Sequence, residues 1–142
     1  MDVSIAYMAG FFDGEGSVGI YGGGGTSGRT VRVQVTQNVH PASTALLDCG
    51  RSKWGGSMTV MNRSGKRQAW NWQVNGAAAI AMLRDLRPFL LLKAEQVDLT
   101  FEWWEGRSLK ARDARGRMLA MPQSTLDRDE QYASALKRLK KE

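Results

Sequence analysis

The sequence predicts an α+β domain with element order αββαββα, a four-stranded antiparallel sheet and extra helices at the C-terminal end. Two observations carry the sheet. Ser17-Val18-Gly19-Ile20-Tyr21 and Val31-Arg32-Val33-Gln34-Val35-Thr36 alternate apolar with polar, and so do Ser57 to Asn62 and Gln68 to Val74, each pair joined by a turn-rich stretch. A third carries the helices: apolar residues recur at helical spacing before, between and after these pairs.

In chain order, Ile5 to Phe12 is apolar on every side, which for a helix means burial against two surfaces. Gly22 to Gly25 with Thr26, Ser27 and Gly28 reads as the first hairpin loop, and Arg63-Ser64-Gly65-Lys66 as the second turn. Pro41 to Cys49 reads as a short helix with Pro in its first turn and Gly50 as its stop. Asn75 is placed to cap a helix over Ala77 to Leu86 that Pro88 ends. Leu90, Ala94, Val97, Phe101 and Trp104 follow at helical spacing, and Ser124 with Asp127 resembles a capping arrangement for a last helix, Thr125 to Lys141. In the strands, Trp70 and Trp72 fall on the side of the valines. The opposite face is polar and cationic.

With 142 residues the chain suits a single domain over 1–142, its core spanning about 4–104 and a helical extension about 105–142. A lone Cys49 excludes an internal disulfide, and a lone His40 beside it excludes a Cys/His zinc cluster. Any metal must sit on oxygen. His40 precedes Pro41 with no nucleophile motif anywhere, which argues against triad hydrolysis. No run is long enough for a membrane span and no leader pattern precedes the first helix. The expectation is a soluble intracellular protein, cytoplasmic, nucleoid-associated or organellar, with no membrane partner and no secretion. Charge is concentrated in the middle: residues 29–93 hold ten bases and two acids, against three acids and no base in residues 1–28. A basic sheet half suits a polyanion, and a solvated face is the alternative.

Asp13-Gly14-Glu15-Gly16 puts two carboxylates at the C-terminal end of the first helix, where the macrodipole disfavours negative charge. A bound cation would offset that cost, and the flanking glycines permit close approach. Ala6, Ala9, Gly10 and Asp13 form a small-residue stripe on the same helix, suited to a second copy of the helix or to tight packing within the chain. Two copies would bring two Glu15 carboxylates together, a cradle for Mg²⁺ and two-metal phosphodiester hydrolysis.

Met8-Ala9-Gly10-Phe11-Phe12-Asp13-Gly14-Glu15-Gly16 resembles the LAGLIDADG motif of homing endonucleases. Gln34-Val35-Thr36-Gln37 resembles the end of that family's second strand, and Leu86-Arg87-Pro88-Phe89-Leu90-Leu91-Leu92-Lys93 its Leu-x-Pro-Phe-Leu-x-Leu-Lys segment. With one motif in the chain, the resemblance implies a homodimer whose first helices form the seam and whose paired sheets make a saddle over double-stranded DNA. It implies a site-specific endonuclease cutting a long pseudo-palindromic target. Glu15 would be the metal-binding acid with a neighbouring carbonyl such as Gly14 or Gly16. Gln37 would stand at the edge of the active site, Lys93 near the scissile phosphate, and Asp13 in support of the helix end. The implied cofactor is Mg²⁺, with Mn²⁺ as substitute and Ca²⁺ supporting binding without cleavage.

Pro41 stands where a relative has an arginine, so that role is either absent or taken by another residue such as Arg63 or Lys66. For base reading the polar face offers Tyr21, Thr30, Arg32, Gln34, Asn62, Arg67, Asn71 and Gln73, with residue types that suit guanine and adenine edges. The basic stretch Arg107, Lys110, Arg112, Arg115 and Arg117 is either a phosphate-contacting tail or a solvated loop. A maturase acting on intron RNA and a catalytically silent DNA-binding regulator are the rival readings.

Overall fold

Alternating valines make a strand with one dry face, and four such strands need helices to cover that face. The computed structural model, which describes residues 2–22, 29–62, 64–65, 67–107, 114–115 and 123–141, shows this arrangement. The order is α1 (Ile5–Glu15), β1 (Gly16–Gly22), β2 (Arg29–Asn38), α2 (Pro41–Trp54), β3 (Ser57–Met61), β4 (Ala69–Asn75), α3 (Gly76–Leu86), a 3₁₀ turn (Arg87–Phe89), α4 (Ala94–Glu105) and α5 (Gln123–Leu139). The sheet runs β1-β2-β4-β3, antiparallel throughout. Val33 faces Val18 on one side and Val74 on the other, so the register joins the apolar residues of three strands into one dry face. Met8, Ala9 and Phe12 of α1, Leu47 of α2 and Ile80, Leu83 and Leu86 of α3 complete the core with them. Each large side chain buried here contributes about 1.5–3 kcal/mol.

The tryptophans belong to this core, Trp70 and Trp72 on the expected side of the sheet. Trp72 and Trp103 are buried, Trp70 half-buried, and each indole N–H finds an acceptor: Gly55 O, Asp129 Oδ1 and Thr44 Oγ1 respectively. Trp104 is half-buried under the Arg107 guanidinium, 3.5 Å from the ring centroid. Among the described residues no helix is long and apolar enough to cross a membrane.

Several boundaries differ from the sequence expectation. Gly50 does not stop α2, which continues to Trp54 and ends at Gly55 with φ 80°. Gly50 is buried, and a Cβ there would stand 2.6 Å from the Trp72 ring and 3.1 Å from Met8 Cε. The glycine is a close-packing position. We therefore expect Gly50→Val to destabilise the fold by about 1–3 kcal/mol through overpacking, measured as a lower urea midpoint at unchanged slope. His40 caps α2: its Nδ1 accepts from Ser43 N while Ser43 Oγ accepts from His40 N.

β4 runs one residue past Val74, so Asn75 belongs to the sheet as well as to the N-terminus of α3, and its side chain makes no cap bond. α5 spans Gln123–Leu139 rather than Thr125 to Lys141, because Gln123 already stands in its first turn, bonding Asp127, and Ser124 is inside the helix. α5 is held against α4 and the sheet: buried Asp129 accepts from Trp103 Nε1 of α4 and from Arg29 N of β2, and Arg29 pairs with Glu130. The hairpin loop at 23–28, and Arg63 and Lys66 of the second turn, lie outside the described residues. So does the basic stretch at 108–113 and 116–122, with Lys110, Arg112 and Arg117.

Candidate active site and nucleic-acid interface

The last turn of α1 leaves carbonyls unpaired and carries two acids, and the structure handles the two differently. Asp13 is buried, and its carboxylate accepts two backbone N–H groups: Leu91 N at 2.7 Å and Lys93 N at 3.0 Å. Its main-chain carbonyl accepts from Lys93 Nζ. Donors from the segment after the 3₁₀ turn thus offset the unfavourable position of this acid, and no cation is needed for Asp13. Glu15 is exposed, and its Oε2 accepts from Gln37 Nε2 at 3.1 Å. Gln37 reaches it because, by register with Trp70, it lies on the dry side of the sheet at the end where α1 leaves.

Gly16 makes the exit from α1 into β1 feasible. A Cβ there would lie 2.1 Å from the Phe12 ring. The Lys93 ammonium sits 5.9 Å from that same ring centroid. Partial burial lowers the Lys93 pKa; the Asp13 and Glu15 carboxylates oppose the shift and Lys140 adds to it. Glu15, Gln37, Lys93 and Asp13, distant in sequence, therefore meet at one end of α1.

No group of three or more His, Cys, Asp or Glu side chains stands close enough to hold a metal among the described residues. One chain supplies the Glu15 carboxylate and the backbone oxygens of the helix end around exposed Gly14. Oxygen donors of this kind suit a hard cation such as Mg²⁺, which keeps several waters and takes one or two carboxylates.

The small-residue stripe divides. Ala6 and Gly10 are exposed, whereas Ala9 and Asp13 are buried in their own chain, because Met8, Ala9, Phe12 and Asp13 form the core side of α1. The open side is Ala6, Tyr7, Gly10 and Gly14, with Tyr7 61% exposed. Beside the Asp13 clamp, Leu91 and Leu92 are 85% and 77% exposed. A cleft of about 500 Å³ opens between the start of α1 and the start of α2, lined among others by Tyr7, Gln37, His40 and Leu46.

By register, Tyr21, Thr30, Arg32, Gln34, Asn71 and Gln73 share the face opposite the helices. Asn71 is 8% exposed, and its Oδ1 is buried without a hydrogen-bond partner. Asn62 and Arg67 are exposed beyond the strand ends, Asn62 Oδ1 accepting from Gln68 Nε2. Sequence reasoning missed Gly19, Asn75 and Lys140, which border this face. The β4 alternation Asn71, Gln73, Asn75 was a usable signal for the second of these. Lys140 follows the end of α5 with its ammonium 5.9 Å from the Tyr21 ring centroid; burial and Lys137 lower its pKa.

No family model matches the sequence, and no curated protein matches it. Solved structures do. The homing endonuclease I-CvuI, in complex with its target in the presence of Ca, superposes with a TM-score of 0.68 at 21% identity, covering 95% of this chain and 80% of that one. The homing endonuclease I-TnaI gives 0.62 at 15% identity over 99% and 98% of the two chains. The LAGLIDADG homing endonuclease I-GzeII, in complex with its DNA target, gives 0.59 at 17% identity over 73% of this chain and 36% of that one. With α1 running directly into a β1-β2-β4-β3 antiparallel sheet and α2 and α3 on its dry face, the chain has the LAGLIDADG homing endonuclease fold.

Proposed function

We propose that the chain is a site-specific double-strand DNA endonuclease that works as a homodimer on a long pseudo-palindromic target. The observation that carries this reading is the convergence at the end of α1: an exposed Glu15 held by Gln37, next to a Lys93 that Asp13 pins at both backbone and side chain. A structural helix end needs no such construction. The neighbours in complex with DNA targets, I-CvuI and I-GzeII, support DNA as the substrate.

Two copies meeting through Ala6, Tyr7, Gly10 and Gly14 would place two Glu15 carboxylates at one seam. Glu15 with the carbonyl of Gly14 would hold Mg²⁺, or Mn²⁺ in its place. The metal, when bound, supplies an activated water and charge stabilisation at phosphorus. Gln37 orients the Glu15 carboxylate. Lys93 presents an ammonium toward the charge that develops on the phosphate oxygens. The polar sheet face, with Tyr21, Thr30, Arg32, Gln34 and Gln73, lies in the major groove and reads bases, while buried Asn71 does not reach them.

Lys93 gives this reading a pH signature. Burial lowers its pKa, so the ammonium is lost, as pH rises, earlier than for an ordinary lysine. If the ammonium is the working form, kcat/KM for cleavage falls on that alkaline limb, and Lys93→Met loses both most of the rate and the limb. A limb retained by Lys93→Met would assign it to another group.

Binding is expected to be steeply salt-dependent. Between about 50 and 200 mM salt, affinity for the selected duplex should fall by roughly a thousandfold or more, as for a protein with six or more phosphate contacts. Lys137 and Lys140, which form no ion pair among the described residues, contribute to it, so Lys137→Ala with Lys140→Ala should flatten the slope. A flat wild-type dependence would show that the basic sheet half is only a solvated face. I-CvuI was captured in the presence of Mg with DNA of another target not cleaved, so cutting must be tested on the duplex this chain itself selects.

A further inference from the structure

On the polar face one side chain is held in place by three strands. Arg32 of β2 lies opposite Gly19 of β1 and Asn75 of β4. Its Nε donates to Asn75 Oδ1 at 3.1 Å, and its guanidinium lies 5.2 Å from the Tyr21 ring centroid. That ring is folded back over residue 19, where a Cβ would stand 2.3 Å from it, so only glycine leaves room. Asn75 occupies the N-cap position of α3, where asparagine ordinarily accepts a backbone N–H; here it makes no cap bond and its oxygen goes to Arg32. A local preference given up in favour of one side chain marks a functional demand.

We propose that Arg32 reads a guanine in each half-site, with Asn75, Tyr21 and Gly19 as the residues that position it. The proposal rests on the DNA reading above and names the base that reading leaves open. With Nε committed to Asn75, the two terminal nitrogens keep their four N–H groups, the end-on fork that matches guanine O6 and N7. No carboxylate pairs with Arg32 among the described residues, so the fork carries its full charge to the groove. β2 is an inner strand, and its polar face meets the groove floor where bases are exposed, whereas phosphates flank the margins. Holding the guanidinium in advance removes the rotamer entropy that a free arginine would lose on binding. Gly19 lies four residues past Glu15, about 13 Å along a strand, which places the guanine about four base pairs outward from the cut.

The test recovers duplexes bound in Ca²⁺ from a randomised pool and compares base preference position by position for wild type, Arg32→Gln, Asn75→Ala and Gly19→Ala. Wild type is expected to select one guanine per half-site about four base pairs outward from the cut. Arg32→Gln should lose about 10- to 100-fold of discrimination at that position alone. Asn75→Ala and Gly19→Ala should relax the same position by a smaller factor while the other positions keep their preferences, an outcome that general destabilisation would not give. Guanine retained by Arg32→Gln, or preference lost evenly at every position, overturns the assignment while leaving the DNA reading standing. Wild type that enriches no duplex overturns both.

Discussion

Glu15→Gln is expected to abolish cleavage while leaving DNA binding intact. The amide keeps the size of the side chain and an oxygen that Gln37 Nε2 can still donate to, so the 3.1 Å contact at the end of α1 survives. The negative charge that would hold the metal does not. Losing a metal ligand removes several kcal/mol of transition-state stabilisation, a rate decrease of about a thousandfold or more. The proposed base-reading and phosphate contacts lie on the sheet and would be untouched. Without metal, affinity should rise, because two carboxylates no longer repel the backbone near the cut. Gel-shift and cleavage assays on one duplex, with Ca²⁺ and with Mg²⁺, measure both effects. Wild-type cleavage by Glu15→Gln would remove Glu15 from the metal site.

Gly10→Leu is expected to give a folded monomer. A Cβ at Gly10 meets nothing within 4 Å in its own chain, and the residue is exposed on the open side of α1. A leucine there leaves the core alone and obstructs only a second helix. Sedimentation should show the wild type as a dimer and the variant as a monomer with an unchanged circular dichroism spectrum. Affinity for a two-half-site duplex should fall by about 10²- to 10⁴-fold, since each half then binds by itself. An active wild-type monomer would end the two-copy account. Leu91 and Leu92, exposed beside the same helix end, would give the proposed seam an apolar margin that Ala6 and Gly10 alone would lack.

Much of this was legible in the sequence, for identifiable reasons. Strand alternation is local, so Val31, Val33 and Val35 against Arg32, Gln34 and Thr36 determine both sheet faces. Gly50 misled because glycine in sequence means either a stop or a close contact. Only the neighbour decides, and Trp72 is 22 residues away. Asp13 was recognised as a supporting acid, but the two N–H groups from Leu91 and Lys93 that satisfy it come from 78 and 80 residues downstream. Which side of α1 meets the core stays open in the sequence for the same reason. A helix apolar on every side carries no moment, so nothing local says whether Ala9 or Tyr7 faces the core. Arg32 was visible as a base-reading type; its clamp by Asn75 and Tyr21 depends on cross-strand register.

We propose that this chain cuts a DNA sequence it recognises, through metal held at Glu15. The most direct measurement selects duplexes from a random pool with the wild-type protein in Ca²⁺, transfers the bound complexes to Mg²⁺, and sequences the ends. Double-strand breaks are expected at one position of a two-fold related sequence, none of them formed by Glu15→Gln. Selected duplexes that stay intact in both Mg²⁺ and Mn²⁺ would contradict it and leave a DNA-binding regulator, while a pool with no enrichment at all would turn attention to intron RNA.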